Sequence, residues 1–208
     1  MIFKDREEAG EKLAAALMKY RGQKDVVVVA LPRGGVITGR AIADALGAPL
    51  DLVVPRKIGA PSNEEYAIGA LTETGEMVWN EEERARYDQK ILNQIIDKEL
   101  KEAARRLRVY RQGMLPRDLK GKTVVLVDDG VATGNTMRAA IKTVKAEKPK
   151  KIIVAVPGGA EDTIEQLRTE VDEILVLTTE FLGAVGNLYQ SFPQVLDDEV
   201  IKLMRLPT

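Results

Sequence analysis

Residues 124 to 136 read Val124-Val125-Leu126-Val127-Asp128-Asp129-Gly130-Val131-Ala132-Thr133-Gly134-Asn135-Thr136. The apolar run at its start has the pattern of a strand buried on both faces. It delivers two adjacent carboxylates, Asp128 and Asp129, to the strand's C-terminal end. A short loop of small and hydroxyl-bearing residues then leads into a helical pattern from Thr136 to Ala146. In an open α/β sheet this end of a strand is where ligands bind. The loop and the helix N-terminus aim backbone N–H groups at one spot, which suits a phosphate. Thr133 and Thr136 add hydroxyl donors, and Gly134 removes a side chain where backbone and phosphate approach closely. Each carboxylate can accept hydrogen bonds from the vicinal hydroxyls of a sugar. The plainer alternative is a strand–turn–helix whose two aspartates only cap the helix. The number of independent positions that agree speaks for the ligand site.

The same alternation continues on both sides. Downstream, strands are expected at Ile152 to Val156 and Ile174 to Leu177, with a helix at Thr163 to Arg168 between them. Upstream, Asp5 and Glu8 have capping-box spacing and open a helix running to about Lys19. Val26 to Leu31 reads as a strand buried on both faces, broken by Pro32-Arg33-Gly34-Gly35. A helix follows and stops at Gly47, and Leu50 to Val54 is a further strand. Pro55 to Glu65 is polar and rich in Pro and Gly, so a loop is expected there. Two short strands are expected around the Thr74-Gly75 turn. A long helix should then run from about Glu81 to Gln112, with the apolar stripe Ile91, Leu92, Ile95, Ile96, Leu100, Ala103 and Leu107. Such strand–helix alternation implies α/β architecture: a doubly wound parallel sheet in one domain spanning 1–208. To it are added an inserted helical arm at about 81–113 and a small C-terminal hood at about 178–208.

Composition narrows the chemistry. The chain has 208 residues, 45% apolar and 30% charged, with 31 basic and 32 acidic side chains, so net charge gives no reason to expect a polyanionic partner. It has neither cysteine nor histidine. Disulfides, Cys/His zinc sites and imidazole-based triads are therefore excluded for this chain. Any proton transfer must use Asp, Glu, Lys, Tyr or the substrate. The opening residues lack the apolar run of a signal peptide, and no stretch is long and apolar enough to span a bilayer. A cytoplasmic protein without a membrane partner is expected.

The segment 124–136 resembles the signature of the type I phosphoribosyltransferases, in which four apolar residues precede two acidic ones and a Thr-Gly-x-Thr loop. That resemblance implies a site for 5-phosphoribosyl-1-pyrophosphate, with ribose 5-phosphate held by Asp128, Asp129, Gly130, Val131, Ala132, Thr133, Gly134, Asn135 and Thr136. Leu31-Pro32-Arg33-Gly34-Gly35 looks like the pyrophosphate loop of the same family, which implies that Arg33, Gly34 and Gly35 bind the leaving group and that the Pro32–Arg33 peptide is cis. Arg56-Lys57 resembles the Arg-Lys pair of the orotate enzymes, so these two cations are expected on pyrophosphate, beneath a mobile lid. Catalytic roles fall to Arg33, Lys57, Asp128 and Asp129. Magnesium is implied as a cofactor held mainly by the substrate, with no direct protein ligand. The chain as a whole resembles a small group of bacterial and archaeal phosphoribosyltransferase-like proteins of unassigned substrate.

The acceptor stays open. Enzymes for 6-oxopurines carry an aspartate where this chain has Ala132, and a lysine near Pro157, whereas adenine enzymes carry Ala-Thr-Gly. Phe181 to Tyr189 is similar to the hood of the oxopurine enzymes, so Phe181, Val185 and Tyr189 are expected to bind a small nitrogenous acceptor. No general base stands near Ala132, and Glu64 or Glu65 is the alternative. Arg105, Arg106, Arg108 and Arg111 crowd the end of the long helix. They could bind nucleic acid, but charge complementing the helix dipole is the simpler reading. The apolar stripe covers the core or meets a second copy in a homodimer. The leading function is phosphoribosyl transfer. Its competitor is a non-catalytic sensor that binds the pyrophosphate sugar or a nucleotide.

Overall fold

In a computed structural model of the protein, residues 1–180 and 183–207 are described. Asp5 caps α1 (Arg6–Ala16) by accepting from the Glu8 N–H at 2.9 Å. The chain then forms β1 (Val26–Ala30), α2 (Gly34–Leu46) and β2 (Leu50–Leu52). After an inserted stretch come β6 (Thr123–Val127), α5 (Asn135–Ala146), β7 (Lys151–Gly158), α6 (Glu161–Arg168) and β8 (Glu173–Thr178). These five strands make a parallel sheet in the order β2-β1-β6-β7-β8. The alternating side chains of β1, β6 and β7 serve opposite faces, as doubly buried strands require. Val26, Val28, Val125 and Ile153 join α1 and α2 on one face, and Val27, Val29, Leu126 and Val154 join α5 and α6 on the other. The doubly wound parallel sheet is the one the sequence implies.

The inserted stretch departs from expectation in two places. In place of the expected loop at 55–65, β3 (Arg56–Ala60) and β4 (Asn63–Leu71) form an antiparallel hairpin, with a register irregularity from Ile58 to Ala60. β5 (Met77–Trp79) completes a separate three-stranded sheet. It packs on α5 through Ala70, Val78 and Ala139. The single long helix is broken into α3 (Glu81–Arg84) and α4 (Gln89–Tyr110). The break falls where Asp88 turns extended and caps α4, accepting from the N–H groups of Lys90 and Ile91 at 2.8 and 3.3 Å. A helix is restarted there because the aspartate satisfies the new N-terminus. The inserted helix α4 lies against the body, with its apolar stripe on the core. Leu92, Ala103 and Tyr110 enter the same apolar cluster as α1 and α2. Beyond β8 the chain makes a 3-10 turn at Val185–Leu188 and ends in α7 (Asp197–Arg205).

Because the chain steps from β1 outward to β2 and returns to β6 on β1's other side, the strand order reverses between β1 and β6. At such a switch point the loops leaving the two strands diverge and open a crevice. The loops there are Leu31–Gly35 and Asp128–Thr136. Leu31 N–H donates to Val127 O at 2.9 Å, extending the ladder until the two loops begin side by side.

Candidate active site

The signature loop stands where its strand places it. Val131 N–H donates to Gly158 O at 2.9 Å, and Thr163 Oγ1 donates to Ala132 O at 2.9 Å, which ties the loop to the β7 end and to α6. Gly134 caps α5 in a left-handed conformation at φ 75°, and no side chain caps that helix. A Cβ there would also come within 2.7 Å of Thr163 Cγ2, so only glycine fits on both counts. The N–H groups of Ala132, Thr133 and Gly134 meet no acceptor of the protein among the described residues. An uncapped helix start with free amides beside the hydroxyls of Thr133 and Thr136 has the donors that an anion requires.

The second loop abuts the first. Its Pro32–Arg33 peptide is cis, as the family resemblance implies. A Cβ on Gly34 would overlap Asp129 Oδ2, and one on Gly35 would sit 2.9 Å from Asp128 Cα. Both glycines are therefore needed for the carboxylate pair to sit against the start of α2. Arg33 itself turns toward α7, with Nη1 3.5 Å from Asp197 Oδ1. It borders a smaller hollow with Arg6 and Phe192 rather than the main cleft.

That cleft encloses about 590 Å³. Leu31, Pro32, Asp128 and Thr136 line it from the parallel sheet, and Arg56, Lys57 and Pro61 line it from the hairpin. Its remaining wall was not legible in the sequence: Ile91, Gln94, Ile95, Lys98, Glu99 and Arg106 project from one face of α4. Arg56 Nε donates to the buried Glu99 at 2.7 Å, and Lys98 pairs with Glu64 at 3.1 Å, so ion pairs hold α4 to the hairpin. Arg106 gives its Nε to Glu102 at 2.7 Å. Lys57 has no ion pair among the described residues. The spare donors of Arg56, Lys57 and Arg106 thus face one cavity. Asp128 adds a carboxyl group. Burial pushes its carboxyl well above the ordinary carboxylate range, and the adjacent Asp129 charge pushes the same way.

Arg6 is a site residue that sequence reasoning missed. Its partner lies far along the chain: Arg6 Nε donates to Asp129 Oδ2 at 2.6 Å. A capping-box helix carries no signal for such a contact. Two residues expected to bind the acceptor lie against the signature loop, Val185 over Gly130 and Tyr189 on the carbonyl of Asp129. Tyr189 is buried beside Phe3, stacks on Phe192 at 5.1 Å between ring centroids, and donates its hydroxyl to Asp129 O at 2.6 Å. Its ring offers no open face for stacking an acceptor. Val185 packs beside Leu188 and Tyr189. Phe181 lies outside the described residues.

A profile of the phosphoribosyl transferase domain matches residues 2–186. The chain belongs to this family. Two strains of Mycobacterium tuberculosis carry a protein named "Putative phosphoribosyl transferase" that is 39% identical to it over 206 residues, 98% of this chain and 46% of the relative. The phosphoribosyl transferase domain described here therefore spans just under half the length of those relatives. A shorter stretch of 64 residues, 30% of the chain, is 42% identical to 23% of a ribose-phosphate pyrophosphokinase from Pyrococcus furiosus. Among solved structures, TT1426 from Thermus thermophilus matches with a TM-score of 0.80 and 39% identity over 98% of both chains.

No group of three or more metal-ligating side chains is found among the described residues, and Arg6 already occupies Asp129. No helix among them is long and apolar enough to cross a membrane.

Proposed function

We propose that this domain binds 5-phosphoribosyl-1-pyrophosphate with magnesium and transfers its phosphoribosyl group to a small nitrogenous acceptor, releasing pyrophosphate. One observation carries the reading: Asp128, the Thr136 hydroxyl at the end of a phosphate-type loop and a group of spare cations open onto one cleft. A ligand with a phosphate at one end, a diol in the middle and a diphosphate at the other matches that sequence of groups. The likeness of a 64-residue stretch to a ribose-phosphate pyrophosphokinase supports the same ligand class.

In this reading the amides of 132–134 and the hydroxyls of Thr133 and Thr136 hold the 5-phosphate, and the carboxylate end of β6 orients the ribose. The bond from C1 to the pyrophosphate oxygen breaks, the electron pair leaves with pyrophosphate, and the acceptor nitrogen bonds to C1. Charge grows on the departing group, so Arg56, Lys57 and Arg106 favour the transition state over the ground state. The backbone of the Pro32–Gly35 loop faces the same group. Magnesium bound to the substrate adds further neutralisation of that charge. Arg33 acts from behind this loop, through its tie to Asp197. No carboxylate stands at Ala132, so the acceptor enters as an anion or gives its proton to Glu65. Unlike Glu64, Glu65 has no ion pair among the described residues.

The test is incubation of the protein with the pyrophosphate sugar, magnesium and a pool of purines, pyrimidines and small amides, with released pyrophosphate as the readout. Release that depends on one acceptor is the expected result. Tight sugar binding without release from any acceptor would reject transfer in favour of a sensor.

A further inference from the structure

The two signature carboxylates differ in their surroundings. Asp128 lines the main cleft, whereas Asp129 does not. Asp129 is instead held from several distant parts of the chain. Arg6, only 6% exposed, donates to its Oδ2 from α1. The Arg6 guanidinium is fixed in turn by Pro193 O at 2.9 Å from Nη1 and by the Phe192 ring, whose centroid lies 3.7 Å from its central carbon. The Tyr189 hydroxyl holds the Asp129 carbonyl at 2.6 Å. The missing side chain of Gly34 leaves the space in which this pair forms. Asp129 N–H meanwhile donates to Asp128 Oδ1 at 2.8 Å, so fixing Asp129 also fixes its neighbour.

We propose that the carboxylates divide the work: Asp128 is the one that touches the ribose, and Asp129 is a positioning residue whose charge is committed to Arg6. This rests on the sugar-binding reading above. A sugar hydroxyl that displaced Arg6 from Asp129 would leave a guanidinium sealed against an aromatic ring without its counter-charge, which is unfavourable. Asp128 carries no such penalty, because no cation pairs with it among the described residues. The Arg6–Asp129 pair then locks the signature loop to α1 and to the segment that carries Tyr189 and Phe192. Its geometry holds the Asp128 carboxylate toward the cleft.

Calorimetric titration with ribose 5-phosphate separates the roles. Asp128→Asn should lower affinity at least tenfold. Asp129→Asn keeps the shape and an acceptor for Arg6, and should stay within about threefold of the parent. Arg6→Met removes the lock and strands the Asp129 charge beside the phosphate loop, and should lower affinity at least tenfold. A pH series gives a second readout: the pH dependence of binding should flatten in Asp128→Asn and persist in Asp129→Asn. Equal losses in the two single asparagine variants, or an Arg6→Met variant that melts and binds like the parent, would overturn the division while leaving the sugar reading intact. A parent protein that binds neither ribose 5-phosphate nor the pyrophosphate sugar would overturn the reading and the division together.

Discussion

A methyl group added at Gly34 would overlap Asp129 Oδ2 and come within 2.8 Å of Arg6 Nε. Gly34→Ala should therefore push apart a buried ion pair. The expected cost is about 2–3 kcal/mol of stability, by overpacking and by partial loss of the pair. Denaturant unfolding measures it, and an unchanged midpoint would mean the pair is not held as described. Asp128 sets a pH dependence. Its folded-state pKa is raised by burial, so it favours the fold only in its protonated form. That contribution is complete below the unfolded value and disappears as pH rises through the folded one. Sugar binding needs the ionised form, so affinity relative to Asp128→Asn should climb over the same rise in pH. A constant ratio from acid to neutral pH would contradict this role. At the acceptor end, the side chain of Ala132 is only a methyl, its carbonyl is already bonded to Thr163, and Pro157 is enclosed within β7. Hypoxanthine and guanine should be poor acceptors, since each unpaired polar edge costs roughly 1–3 kcal/mol. Pyrophosphate-release kinetics check this, and efficient turnover of either base would place their recognition on other residues.

At the scale of elements, the insertion is where sequence and structure part. Pro55, Gly59, Pro61 and the charges of Glu64 and Glu65 erase the alternation that marks a strand. The irregular register from Ile58 to Ala60 breaks what is left. Gly59 belongs there because a Cβ would overlap Glu64 O across the hairpin, yet from sequence such a glycine reads as a loop residue. On α4 the apolar stripe was legible, but its use was not. Leu92 and Ala103 go to the core, whereas Ile91 and Ile95 line the cleft. Helical spacing cannot distinguish a face that packs from one that borders a cavity. The signature loop was legible because its chemistry is local, within thirteen consecutive residues. Arg6 was not, because its contact with Asp129 exists only after folding. The Arg56–Glu99 pair joins α4 to the hairpin, so Glu99→Ala should leave Arg56 uncompensated. We expect a loss of about 1–3 kcal/mol in denaturant unfolding. Pyrophosphate binding should also weaken more than ribose 5-phosphate binding. Equal weakening of both ligands would mean that α4 does not serve the diphosphate end.

For the whole molecule, strand order follows from few rules. Parallel strands need crossovers, and crossovers bury both faces of the sheet. A chain with apolar strands at 26, 50, 124, 152 and 174 therefore has few ways to fold, and the reversal between β1 and β6 fixes where a ligand enters. The composition fits this frame: without cysteine or histidine, the site relies on backbone amides, carboxylates and fixed cations. The most direct measurement is calorimetric titration of 5-phosphoribosyl-1-pyrophosphate, with magnesium, into the parent protein and into Asp128→Asn/Asp129→Asn. The expected result is one ligand per chain in the parent. The double variant should bind more weakly by about 2–3 kcal/mol, chiefly through the charge-assisted hydrogen bonds that Asp128 no longer makes. No binding to the parent at millimolar ligand, or equal affinity in the variant, would contradict a phosphoribosyl site at the end of β6.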